Sequence, residues 1–199
     1  NGTITAESTA IAVDAYDNQV AIIGSVSSET SPVITTGDGF SNVVNFGEIT
    51  AASEDDVAVS MGSGTNTYMM FDDSLLTGRV ENVSTDNDLA LNGFALGELD
   101  LSQVAQGGKY SGFGKLYKYG SGTWVASGTG SSLDDILVHD GMLVMDGVTD
   151  ADVLVQIDPM SGVPTDRPVL AGSGTVGSVE VQTGGPISPG YSSIDTLTV

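Results

Sequence analysis

The chain of 199 residues contains no cysteine and a single histidine, His139. It can form no disulfide, present no thiolate nucleophile and build no Cys-based zinc site, and one imidazole is too few for an ordinary transition-metal centre. Cationic residues are nearly as scarce. Five Lys and Arg stand against 26 Asp and Glu, for a net charge of −21. Such a chain repels phosphate backbones and anionic headgroups, so neither nucleic acid nor membrane insertion is expected. There is no run of 18 apolar residues long enough for a membrane helix. Nor is there a G-x-S-x-G nucleophile elbow or a phosphate-binding P-loop.

What is present reads as β-structure from end to end. Short runs of β-branched and aromatic residues alternate with Gly, Asn, Asp and Ser clusters, as in Val57–Met61, where Val57, Val59 and Met61 alternate with Ala58 and Ser60. That period of two marks half-buried strands. Asp140-Gly141, between Ile136–Val138 and Met142–Met145, predicts a two-residue hairpin turn. A short helix near Leu99 to Gln106 is the one candidate departure from strand. The letters of a dinucleotide fingerprint occur at Gly172 to Gly177, but a strand, Ser178 to Val181, follows where a helix is required, and that reading is rejected.

With roughly 14 to 16 strands predicted, the expectation is one all-β domain over residues 1–199. An antiparallel β-sandwich or jelly-roll-like fold accommodates the irregular strand spacing. The alternative is a small β-propeller-like fold: Lys115 to Val163 resembles a propeller blade, with an aromatic strand, a Trp after a Gly turn, an Asp-Gly turn and a strand ending in Asp-Pro-x-x-Gly. Over its whole length the composition resembles that of proteins from halophilic archaea and their viruses, with Asp preferred to Glu and lysine almost eliminated. The resemblance is to no particular family. It implies a salt-screened surface and an extracellular, cell-surface or virion setting.

Two groups of residues are candidate sites. The first is the band Lys109 to Trp124, which gathers all three lysines with five of the twelve aromatics: Lys109, Tyr110, Lys115, Tyr117, Lys118, Tyr119 and Trp124 are its candidate interface or ligand residues. Three ammonium groups complement the acidic surface of an identical or related neighbour, and Tyr and Trp faces stack on sugars. The second is Asp146, Asp150 and Asp152, hard oxygen ligands on one short segment that suit calcium. No other cofactor is implied. His139, at the end of a strand, is expected at a surface or strand edge.

The functional expectation is a non-catalytic structural subunit of an extracellular or virion assembly, a coat, surface layer or filament, self-associating through β edges with copies of itself or related subunits. The alternative is a secreted glycan- or ligand-binding β module.

Overall fold

The computed structural model describes residues 2–157, 167–182, 185–191 and 195–199. The chain winds as a parallel β-solenoid. Its first turn is Thr3–Ala6 (β1), Ile11–Val13 (β2) and Asp17–Ile22 (β3); its second Ser25–Ser28 (β4), Ile34–Thr36 (β5) and Phe40–Asn45 (β6). The third is Glu48–Thr50 (β7), Val57–Met61 (β8) and Asn66–Phe71 (β9), and the fourth Leu75–Thr77 (β10), Arg79–Asn82 (β11) and Asp88–Asn92 (β12). Leu96–Asp100 (β13), Tyr110–Ser111 (β14) and Lys115–Lys118 (β15) make the fifth. Later turns carry two strands each: Thr123–Ser127 (β16) with Asp135–Val138 (β17), Met142–Met145 (β18) with Asp152–Val155 (β19), and Val169–Gly172 (β20) with Ser178–Val181 (β21). Ile187–Pro189 (β22) begins a ninth.

Every strand pairing among the described residues is parallel. The expected antiparallel sandwich, jelly roll or propeller is therefore incorrect. The longest sheet holds eight strands in the order β21-β19-β17-β15-β12-β9-β6-β3. At about 4.8 Å per strand it runs roughly 34 Å along the solenoid. A second side is formed by β1-β4-β7-β10 and then by β13-β16-β18-β20-β22. The third is β2-β5-β8-β11-β14, reduced further on to single bridges joining Thr129, Val148, Thr175 and Thr198.

The correction has a definite physical cause. Alternation of apolar and polar residues is the usual mark of an antiparallel sheet with one wet face, because most parallel sheets are covered on both sides. In a solenoid a parallel sheet also has one face in the core and one in water, so it carries the same alternation. Asp140-Gly141 is accordingly a corner. Gly141 takes φ +61 there, yet β17 pairs with β15 and β19, while β18 pairs with β16 and β20. The expected helix is a single 3-10 turn, Leu101–Gln103, whose first turn is capped by Asp100 accepting from Ser102 N at 2.9 Å.

The core is made of side chains stacked rung upon rung. Val20, Val43, Tyr68, Leu89, Leu116, Ile136, Val153 and Val179 form one inward column of the long sheet. At the bend before this sheet the chain turns through its own interior, and buried polar side chains take up the backbone groups released there. Asn18 Nδ2 donates to Ala15 O at 2.7 Å and to Ser41 Oγ at 3.1 Å, Asn66 N donates to Asn87 Oδ1 at 2.8 Å, and Asn87 Nδ2 donates to Gly112 O at 2.8 Å. Glycines occupy corners where successive turns approach too closely for a side chain. A Cβ on Gly47 would strike the carbonyl oxygen of Gly24, and one on Gly174 that of Gly147.

Candidate functional site

The long sheet sets out two parallel rows of outward side chains, because its register is kept from strand to strand. One row is Gln19, Asn42, Thr67, Asp88, Lys115, Asp135, Asp152 and Ser178. Beside it runs an apolar row that includes Val44, Met69, Ala90, Tyr117, Leu137 and Leu154. Over the first four turns the polar row lines a groove of about 520 Å³. Its rim is aromatic. Phe40 belongs to the lining and is 52% exposed, and Tyr16 meets it edge to face at 5.8 Å and is 70% exposed.

Asn18 and Ser41 in its lining bond to each other, but the outward polar row does not bond across its strands. The side chains of Gln19, Asn42, Thr67 and Asp88 form no hydrogen bond with the described protein, and Asn42 Oδ1 is buried without a donor. Burial raises the Asp88 pKa above its ordinary value, with Lys115 opposing and Asp86 adding to the shift. Further along the row Lys115, Asp152 and Ser178 are engaged. Lys115 lies 3.6 Å from Asp86, and Ser178 Oγ donates to Asp152 at 2.6 Å.

No protein-family model, curated protein or solved structure matches the chain. The chemistry of its surfaces therefore carries the functional argument.

The lysine-aromatic band does not form one exposed patch. Tyr110, Lys118 and Trp124 are buried. The Tyr110 hydroxyl faces Met70 Sδ at 3.4 Å, and burial pushes its pKa up to about 12. Trp124 Nε1 donates to Asn92 O at 3.0 Å. Lys118 occupies an inward column between Leu91 and Val138, where its ammonium donates to the carbonyls of Tyr119 and Gly120 at 2.7 Å and of Asp140 at 3.0 Å. Three acceptors match its three N–H bonds. Burial pushes its pKa down to about 8, opposed by the charges of Asp140 and Asp72.

Lys109, Lys115, Tyr117 and Tyr119 reach the surface in part. Lys109 is paired with Glu54 at 3.1 Å and donates to Leu76 O at 2.8 Å, which holds the Glu54 carboxyl below its ordinary range. Tyr117, Tyr119 and His139 hold their rings nearly parallel, with centroids 5.3 to 5.7 Å apart. His139 is 6% exposed and packed against both tyrosines, so it is not the surface histidine expected from its place at a strand end.

Asp146, Asp150 and Asp152 are each exposed and do not converge. Asp146 Oδ1 accepts from Ser173 N at 3.0 Å and Ser173 Oγ at 3.1 Å, tying one turn to the next, while Asp152 takes Ser178. Among the described residues no three His, Cys, Asp or Glu side chains are grouped to hold a metal ion.

The groove was not legible in the sequence. Its polar residues lie 23, 25 and 21 positions apart, on strands whose pairing cannot be read from so uneven a spacing.

Proposed function

We propose that the chain is a non-catalytic structural module of an extracellular, cell-surface or virion assembly, which associates with further copies end to end through open strand edges. The observation that carries this reading is the unpaired edge of the first described turn. All three strands of the first turn, β1, β2 and β3, pair on one side only. Beside that edge lies a recess of about 230 Å³ whose lining includes Ile4, Ile11, Ile22, Ile23 and Val26. Ile4 and Ile23 are 47% and 66% exposed. Unpaired parallel edges are templates for another strand.

Among the described residues, β21 and β22 of the later turns likewise pair on one side only. A head-to-tail contact of this kind does not close, so it generates filaments rather than rings. A net charge of −21 opposes the approach of two copies in dilute buffer. At molar salt, with a Debye length of about 3 Å, that opposition is screened. The lysine band has no necessary part in the contact, since Lys109 and Lys115 already face Glu54 and Asp86 and Lys118 is internal.

Light scattering and negative-stain microscopy from dilute buffer to molar salt test the proposal. Fibres elongating with salt, and abolished by Ile4→Lys with Ile23→Lys, are the expected result. A monodisperse monomer at every salt concentration would overturn it.

A further inference from the structure

We infer that the groove over the first four strands of the long sheet, formed by Gln19, Asn42, Thr67 and Asp88 beneath the Phe40–Tyr16 rim, is a binding site for a neutral linear oligosaccharide. This goes beyond the assembly proposal and does not rest on it, since the groove runs over the outer face of the long sheet from β3 to β12 and is not formed by strand edges. The site is also distinct from the lysine-aromatic band, whose Tyr110 and Trp124 are internal.

The first observation is the row of unspent hydrogen-bonding groups. Elsewhere on this protein, polar side chains on adjacent turns take each other up: Ser63 donates to Asp38, Ser25 to Glu48, Ser173 to Asp146 and Ser178 to Asp152. In the groove two amides, a hydroxyl and a carboxylate stand in register on consecutive strands without a side-chain hydrogen bond to the described residues, although Asp88 also feels the charge of Lys115 beside it. A buried acceptor such as Asn42 Oδ1 left without a donor is unfavourable, and rotation of the amide about χ2 presents it to a donor from outside. Consecutive sugar hydroxyls are such donors and also acceptors, and planar amide and carboxylate groups engage them in pairs.

The second observation is the aromatic rim. Phe40 and Tyr16 are exposed, rigid and held edge to face, so Phe40 offers a ring surface for the C–H face of a sugar while the polar row takes its hydroxyls. The third is the shape. The four polar residues climb the solenoid in three steps of about 4.8 Å, which suits a short extended oligomer lying along the axis better than a compact ligand. Asp17 and Asp88 in the lining disfavour an acidic glycan, so the ligand is neutral.

The test is titration of monomeric protein in dilute buffer with cellohexaose, chitohexaose and maltohexaose, followed by calorimetry and amide chemical-shift mapping, with an oligogalacturonate as the acidic comparison. The expected result is saturable binding of at least one neutral hexasaccharide, with shifts confined to β3, β6, β9 and β12. Asn42→Ala and Asp88→Asn should each weaken it about tenfold, the loss of one or two hydrogen bonds. Thr67→Val, nearly isosteric, supplies a variant whose folding is not at issue, and Asp152→Ala on the same row should leave affinity unchanged. Absence of binding to all three neutral sugars, binding indifferent to Asn42→Ala, Asp88→Asn and Thr67→Val, or tighter binding of the oligogalacturonate would each overturn the inference. Fibre formation does not enter the readout, so failure here leaves the assembly proposal standing.

Discussion

On the outer face of the long sheet, Gln19, Asn42, Thr67 and Asp88 hold hydrogen-bonding groups that the protein leaves unused, whereas three turns beyond Asp88 the same row closes on itself as Ser178 donates to Asp152. The two regions differ in how their turns are held. Each of the first four turns is laddered on three sides by strands. From the sixth turn on, the third side is reduced to one bridge per turn, through Thr129, Val148, Thr175 and Thr198. On this face the four groups of the three-sided turns make no cross-turn side-chain hydrogen bond, whereas in the thinned region Ser178 bonds to Asp152.

If both regions nevertheless depend on the same close approach at their corners, Gly47→Val and Gly174→Val should be equally severe. Each drives a side chain into the carbonyl of the turn before, and each should cost more than about 4 kcal/mol, seen as loss of a cooperative melting transition. Lys118→Met, where the regions meet, comes next. It orphans the carbonyls of Tyr119, Gly120 and Asp140 and should cost about 3 kcal/mol in denaturant titration.

The same lysine fixes a pH dependence. Its folded pKa lies below the ordinary 10.5, near 8, so between those values the unfolded chain binds the proton that the native protein has released. Stability should therefore rise with pH from about 8 to about 10.5 relative to Lys118→Met; a parallel profile for the two proteins would contradict it. The smallest effects bear most directly on the polar row. Asp152→Ala should lose about 0.5 kcal/mol with its Ser178 bond. Asp88→Asn should be neutral to slightly stabilising at pH 7, since burial already disfavours its charge. Equal losses at the two positions would erase the distinction between the regions.

Strand identity was legible because it is local. The alternation in Lys115–Lys118 puts Leu116 and Lys118 on one face and Lys115 and Tyr117 on the other, and it buries Lys118 with Leu116, against the expectation that Lys118 serves an interface. The same reading places Trp124 with Ala126 inside and Thr123 with Val125 outside. Pairing was not legible, because turns differ in length: Asp135 lies beside Asp152, 17 residues on, but Asp88 lies beside Lys115, 27 residues on. No period survives that variation, so neither the parallel stack nor the groove assembled from it shows in the sequence. A site drawn from neighbouring positions, such as the band, was visible but is divided by the pleat between core and surface.

Unequal turns also have a mechanical consequence. In the solenoid each strand hydrogen-bonds only to the turns next to it, so a force applied along the axis acts on one inter-turn seam at a time. Turns of 17 to 27 residues release contour lengths of roughly 60 to 95 Å at about 3.5 Å per residue. A molecule pulled from its ends would thus lengthen in steps of different size, each naming the turn that gave way.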